Sequence, residues 1–197
     1  MWKANFMSAE LLRKSTHLLG LLIPILYFFL DKSLMLVIVG SLTCIALCVE
    51  LAKWLFPPFR NLFYQYLSIL LRSHEKEGAI TGATYYITAT LISIFVFEAS
   101  IAIACLFFIG LGDTAAALVG GQWGNTKLIG KKSLEGSVAC FTVCGITALF
   151  LLNPIVGLIG AFVATLAELL PLRINDNLTV PLISGAVMQL MINYLPL

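Results

Sequence analysis

Seven long apolar runs dominate the chain and leave it few ways to fold. They cover Leu12–Leu30, Leu34–Lys53, Ala83–Phe97, Ile101–Val119, Val138–Leu152, Ile155–Leu170 and Val180–Leu195. A helix needs about 20 mostly apolar residues to cross the hydrocarbon core of a bilayer; three of the runs approach that length and the other four are shorter. None alternates polar and apolar residues with period two, so a membrane β-barrel is not expected. Composition points the same way: of 197 residues, 60% are hydrophobic and 11% charged, and mean hydropathy is +0.99. A soluble domain carries about 25% charged residues, so this chain has too little polar surface to coat a water-soluble globule. That excludes an ordinary cytosolic enzyme and a disordered protein. A net charge of +2 is too mild for a nucleic-acid partner. The expectation is an all-α polytopic membrane helix bundle of about seven transmembrane helices, a single integral membrane domain over residues 1–197.

Loop charge gives this bundle a direction. With the N-terminus inside, the inner segments hold Lys3, Arg13, Lys14, Lys53, Arg60, Arg72, Lys76, Lys127, Lys131, Lys132 and Arg173, and the outer turns hold only Lys32. The N-terminus is therefore expected in the cytoplasm. No small-residue cleavage site comes after the first run, so that run is expected to stay as a span. Of the acidic residues, only Asp31 and Glu98 fall on the outer side. Chemistry is thus expected at the inner face, where soluble nucleotides are. A bacterial inner membrane or the ER would both suit such a protein.

Two features read as structural. Cys44, Cys48, Cys105, Cys140 and Cys144 all lie within apolar runs, where cysteine serves as a small apolar residue. Phe59, Leu62, Phe63, Tyr66, Leu67 and Leu70 recur at helical spacing behind Pro57-Pro58. That pattern fits a helix lying flat in the headgroup layer or packed on the bundle.

Four segments carry groups that suit chemistry. The first runs from Gly110 through Gly112, Asp113, Ala116, Gly120 and Gly124 to Lys131, Lys132, Ser133, Glu135 and Gly136. It is an apolar span ending in an acid, a glycine-rich loop, a double lysine and a second acid. Small residues every four positions at Ala116, Gly120 and Gly124 allow close approach by a helix or a ligand. Loop amides with two ammonium groups suit a polyphosphate, and Asp113 and Glu135 suit Mg²⁺. A Walker A reading fails, because five residues separate Gly124 from Gly130 and Lys132 stands where Ser or Thr is needed. The GxGxxA match at Gly110–Ala115 sits in a membrane span with no βαβ unit around it.

The second segment holds Glu168 at the end of a span, then Asn175, Asp176 and Asn177 in a turn, one of which is expected to cap a helix. The third is Arg13, Lys14 and His17, which share a helix face able to hold phosphate. The fourth, from Arg72 through Glu75 to Thr81-Gly82-Ala83-Thr84, reads alone as a solvated face.

Together the four segments resemble the CTP-dependent lipid-alcohol kinases, a family that includes dolichol, phytol, farnesol and CTP-using diacylglycerol kinases. The resemblance extends over about Leu12 to Gln189. It is most specific at Gly112-Asp113-Thr-Ala-Ala116 with Gly120 and Gly124, and at Lys131-Lys132-Ser133-Leu-Glu135-Gly136. Ser133 stands where many members have threonine. Glu168 with Pro171, and Asp176-Asn177 with Thr179 and Pro181, resemble the family's late motif. Arg13-Lys14 with His17, Glu50, and Glu75 with Thr81 to Thr84 are similar to its earlier ones.

The resemblance implies transfer of the CTP γ-phosphate to the hydroxyl of a membrane lipid alcohol. It implies that Lys131 and Lys132 hold phosphates, with Gly112, Ala116, Gly120, Gly124, Ser133, Gly136 and Asn177 in the nucleotide site. Asp113, with Glu135 or Asp176, would hold Mg²⁺. Glu168, another carboxylate or His17 would handle the alcohol proton, and Arg13, Lys14, Glu75 and Thr81 would lie near phosphate or lipid headgroup. The expected partners are CTP, the lipid alcohol and the bilayer; the small-residue faces also permit a homodimer.

Two other readings compete. A CTP:phosphatidate cytidylyltransferase also uses CTP at the inner face, but its Lys-Asp, His-Gly-Gly and Asp-Arg-x-Asp signature is not found here. A small transporter could line an ion path with Asp113 and Glu168, yet the polar motifs gather at one face rather than at the midplane.

Overall fold

The computed structural model describes residue 16, residues 18–171 and residues 174–194, with the backbone alone at Ser73 and His74. Arg13, Lys14 and His17 lie outside the described residues. The chain is helical nearly throughout. In order, it forms α1 (Leu22–Tyr27), α2 (Lys32–Leu55), α3 (Pro57–Leu67), α4 (Ser73–Lys76), α5 (Gly82–Val96) and α6 (Ala99–Phe107). A π-helical turn at Phe108–Gly112 leads into α7 (Asp113–Trp123). A small hairpin of β1 (Lys127–Ile129) and β2 (Lys132–Ser133) precedes α8 (Leu134–Leu151), α9 (Pro154–Leu169) and α10 (Asp176–Tyr194). Every apolar run expected from the sequence is largely helical where described. Among the described residues, three helices are long and apolar enough to cross a membrane: Lys32–Leu55, Ala99–Trp123 and Leu134–Leu151. Leu18–Tyr27, Gly82–Val96 and Pro154–Leu169 are shorter apolar helices.

Local polar groups set the helix starts. The Asp31, Thr81 and Ser133 side chains accept from Leu34 N–H, Thr84 N–H and Gly136 N–H and begin α2, α5 and α8. Asn153 accepts from Ile155 N–H, and Pro154 then fixes the first residue of α9. Asn175 Oδ1 accepts from Asn177 N–H at 3.0 Å, so Asn175 is the capping residue of that turn.

The helix Ala99–Trp123 is the centre of the bundle. Ile101 to Leu106 are all buried, because the other helices close around every face of α6. Around it, α2 packs on α5, α5 on α10, α10 on α9, α9 on α8, and α8 on α7. The outer surface is apolar: Phe29, Phe95 and Phe150 point outward, the last 85% exposed. Polar side chains instead lie inside, including Thr90, Ser93 and Ser184. Exposed aromatic rings around buried hydroxyls are the pattern of a lipid-facing bundle. The helix α3 buries none of its residues fully and leaves Leu62 and Tyr66 exposed, as an interfacial helix would.

Near the end of α2, half-buried Glu50 and buried Lys53 form an ion pair at 2.6 Å, with Lys53 only 3% exposed. The Lys53 ammonium also sits 5.0 Å from the centre of the Phe63 ring and so seats α3. Removing one partner of a buried pair leaves an uncompensated charge and costs about 3–5 kcal/mol. Glu50→Ala is therefore expected to lower stability by about that amount. The double change Glu50→Leu with Lys53→Met should recover only the part due to the stranded charge, because Thr81 and Thr84 still lose the acceptor they share. Thermal unfolding in detergent measures both.

Candidate active site

The polar groups of the sequence motifs converge where the ends of α5, α7 and α9 meet the start of α10. The hairpin is built to carry Lys132 there. Gly130 turns the chain at φ +57°, a backbone conformation open to glycine at little cost. Strand β2 pairs antiparallel with β1. The Glu135 carboxylate in the first turn of α8 accepts from the N–H groups of Asn125 (3.2 Å) and Thr126 (3.0 Å). Leu134 N–H donates to the Thr126 carbonyl. Fastened at both ends, the hairpin sets Lys132 Nζ 3.0 Å from Glu168 Oε1. Lys131, on the turn, is exposed.

Glu168 lies in the last turn of α9 and is 7% exposed. Asp113, also 7% exposed, stands directly after the π-helical turn. Such turns add a residue to the helical repeat and so re-aim the side chains beyond them; they are frequent at functional sites. Asp176 follows Glu168 across the short turn between α9 and α10. Asp176 opens α10, where Arg72 Nη1 comes within 3.6 Å of its Oδ1.

A second set of contacts fixes the α4–α5 turn. Glu75, buried, accepts from Arg72 N–H at 2.6 Å and from Gly82 N–H at 2.7 Å. Glu50 Oε1 accepts from Thr81 N–H, from the Thr81 hydroxyl and from the Thr84 hydroxyl, at 2.8–3.0 Å. Asn177 Nδ2 donates to the Gly82 carbonyl at 2.8 Å. Gly82 is thus held by α4 and α10 together. A Cβ there would stand 2.9 Å from Asn177 Nδ2 and 3.4 Å from Glu75 Oε1, so a larger residue would push the Asn177 amide from its place.

Arg72, Lys132, Asn175 and Asp176 line a polar cavity of about 460 Å³ between these elements, with Tyr85 and Thr179. Each cation in it faces a carboxylate, an arrangement that a bound phosphate can enter by taking over the cation. Lys132, Glu168, Asp113, Asp176 and Asn177 are the expected residues brought into or beside this region. Glu75 and Thr81 are also close, through the Gly82 turn, where their bonds are structural.

The glycine-rich stripe lies elsewhere. Gly120 meets Ser133 Oγ and Gly136 Cα, Gly136 meets the Ala116 carbonyl, and Gly124 sits on Ser133 Oγ. Ala116, Gly120, Gly124, Ser133 and Gly136 therefore form the seam between α7 and α8. Gly112 gives the same close fit against Cys140 and Cys144. Of the two options that small residues leave open, the structure uses helix packing. Glu135 is turned onto the loop amides, away from the carboxylate group. Among the described residues, no three His, Cys, Asp or Glu side chains are grouped closely enough to hold a metal ion by themselves. Three participants carry little signal in the sequence. Lys53 reads there as an ordinary anchor, Asn175 as one of three cap candidates, and Arg72 as part of a solvated face. The basic residue three before Glu75 is the available signal for Arg72.

The chain is 27% identical over 162 residues to CTP-dependent diacylglycerol kinase 1 of Schizosaccharomyces pombe, covering 72% of this chain and 73% of that one. It is 30% identical over 144 residues to probable phytol kinase 1 of Glycine max, covering 60% and 47%. An uncharacterised protein of Methanocaldococcus jannaschii is 30% identical over 197 residues, covering 93% of this chain and 95% of its own. The chain is similar to CTP-dependent lipid kinases. It is an integral membrane enzyme of the lipid-kinase kind. It spans 58–59% of the length of two further CTP-dependent diacylglycerol kinases that it matches. No family model matches the chain, and no solved structure does.

The Gly82 clamp makes a direct prediction. Overpacking of this kind costs about 1–3 kcal/mol. Gly82→Ala should displace Asn177 and Glu75 and lower kcat/KM by about tenfold or more, with stability falling within that 1–3 kcal/mol range. Loss of stability without loss of activity would show that the clamp does not position the site.

Proposed function

We propose that this protein transfers the γ-phosphate of CTP to the hydroxyl of a membrane lipid alcohol, at the cytoplasmic ends of about seven spanning helices. The single observation that carries this reading is the polar cavity in which Lys132 and Arg72 stand beside Glu168 and Asp176. Two cations in one cleft suit the charge on a triphosphate. The carboxylates beside them suit a magnesium nucleotide. Mg²⁺ is commonly held by one or two carboxylates plus the substrate's own phosphates, so no closed protein cage is needed. Asp113 and Asp176 would hold it, and the ion supplies charge neutralisation on the phosphates. Glu135, with both oxygens facing loop amides, serves the hairpin instead.

The chain's own residues then have distinct tasks. Lys132 leaves Glu168 to bind a phosphate oxygen. Arg72, held through its own backbone by Glu75, takes another as its weaker contact with Asp176 opens. The acceptor hydroxyl forms the new O–P bond, the bond between the β- and γ-phosphates breaks, and CDP departs with those electrons. The hydroxyl proton passes to Glu168, once Lys132 has left it, or to His17. Positioning and charge stabilisation provide nearly all the catalysis in such a transfer. The acceptor is of the polyprenol, phytol or diacylglycerol type.

The test is product analysis. The protein in lipid nanodiscs receives Mg²⁺, labelled CTP, a panel of lipid alcohols and phosphatidate. CDP with a phosphorylated lipid is the expected outcome; pyrophosphate with a CDP-lipid would establish the cytidylyltransferase chemistry instead. Asp113→Asn should lower turnover by about 100-fold or more. Lys132→Ala should raise the KM for CTP and free Glu168. Full activity in Asp113→Asn would remove the metal assignment.

A further inference from the structure

A larger cavity lies beside the polar one and has a different character. Its volume is about 590 Å³, and its walls come from α1, α2, α3 and α5. Ile23, Leu42, Ala46, Val49, Leu67 and Ile87 line most of it. Leu19 and Leu42, also in the lining, are exposed on the apolar outer face, so the cavity borders the surface that meets lipid. Among the described residues, Arg72, Glu75, Thr81, Gly82, Thr84 and Asn177 form a polar end. An apolar chamber with a few convergent polar groups at one end matches an amphiphile with a small polar head.

Asn177 identifies what that head must offer. It is 3% exposed, and its amide nitrogen already donates to the Gly82 carbonyl. Its Oδ1 is buried with no hydrogen-bond partner. A buried acceptor left unpaired costs about 1–3 kcal/mol, and it calls for a donor. The polar groups nearby are already occupied: Glu75 holds two amides, and Thr81 and Thr84 face Glu50. Asn177 Oδ1 is the acceptor that remains. Arg72 lines both cavities, so their polar ends meet at one side chain.

We propose that this apolar cavity is the seat of the acceptor lipid: its hydrocarbon chain lies between α1, α2, α3 and α5, and its hydroxyl donates to Asn177 Oδ1. This rests on the kinase reading and gives it a route, in which the alcohol enters sideways from the bilayer. Donation to Asn177 holds the hydroxyl beside the phosphate bound by Arg72 before reaction; as its oxygen attacks, the proton leaves this hydrogen bond for the base, Glu168 or His17. A lipid with an esterified or methylated oxygen has no proton to donate and is discriminated against. The site therefore selects free alcohols over phospholipids of equal chain length.

Photolabelling tests this without requiring turnover. The protein in phosphatidylcholine nanodiscs is irradiated with a long-chain primary alcohol carrying a mid-chain diazirine, and adducts are mapped by mass spectrometry. Adducts are expected on Val49, Leu67 and Ile87, and Ala46→Trp should reduce them at least tenfold, with retained CTP affinity showing that the variant folds. Unlabelled alcohol should compete at least tenfold better than its methyl ether, and Asn177→Leu should erase that preference. Adducts confined to outer residues such as Phe95 and Phe150 would overturn the proposal, as would equal competition by alcohol and ether in the parent protein. Labelling by a diazirine phosphatidylcholine that the alcohol cannot displace would overturn it too, marking the cavity as a structural lipid site. Phosphorylation of lipid alcohols without cavity adducts would leave the kinase reading intact and refute the seat. Cavity adducts in a protein that phosphorylates no alcohol would support the seat and refute the kinase reading.

Discussion

One carboxylate oxygen of Glu50 accepts three hydrogen bonds from Thr81 and Thr84 while the other faces the buried ammonium of Lys53. In a bundle with so few charges, a carboxylate at such depth is costly unless each lone pair has a donor. Here satisfaction of that demand is also what assembles the site. Meeting it fixes the first turn of α5, and with it Gly82. Gly82 in turn holds Glu75 on one side and Asn177 on the other. The Arg72 backbone hangs from Glu75, and Asp176 precedes Asn177. The polar floor between the two cavities therefore rests on an ion pair in α2, far from it in sequence.

The opposite wall is made by a different means. The α7–α8 seam relies on missing side chains rather than on an ion pair. Gly120, Gly124 and Gly136 let two helices meet at backbone distance, and Ser133 at the junction caps α8. That close seam, together with Glu135 on the loop amides, presents Lys132 from a short hairpin at a fixed height above Glu168. The glycines thus place a lysine beside Glu168. The two walls differ in chemistry but share one outcome: polar groups are immobilised at a helix-end plane while the outer surface stays apolar enough for lipid.

Much of this is legible in the sequence, and the rest is hidden for physical reasons. The all-helical architecture comes from the apolar runs, since a bilayer leaves no other way to satisfy their backbone groups. Asp113, Glu168, Lys132 and Asp176 stand out because ionisable residues are rare beside membrane spans. The glycine stripe is ambiguous, because the same small residues admit a helix or a ligand and only the fold decides between them. The two-stranded hairpin at Lys127–Ser133 cannot be read in advance: a three-residue and a two-residue strand carry no periodicity. Glu135 is expected among the metal ligands, but α8 begins at Leu134, earlier than the apolar run, which puts that side chain within reach of Asn125 and Thr126. Arg72 is hidden by its surroundings, a mixed-charge loop that reads as solvated until α10 folds against it.

The central claim is that the nucleotide phosphates bind among Lys132, Arg72 and the carboxylates of Asp113 and Asp176, and not along the glycine stripe. A structure of the protein in nanodiscs with Mg²⁺ and a non-hydrolysable CTP analogue tests this most directly. The γ-phosphate is expected within hydrogen-bonding distance of both Lys132 Nζ and the Arg72 guanidinium, with the Lys132–Glu168 pair opened. Phosphates resting on the backbone of Gly120 to Gly124, with Lys132 still paired to Glu168, would contradict it.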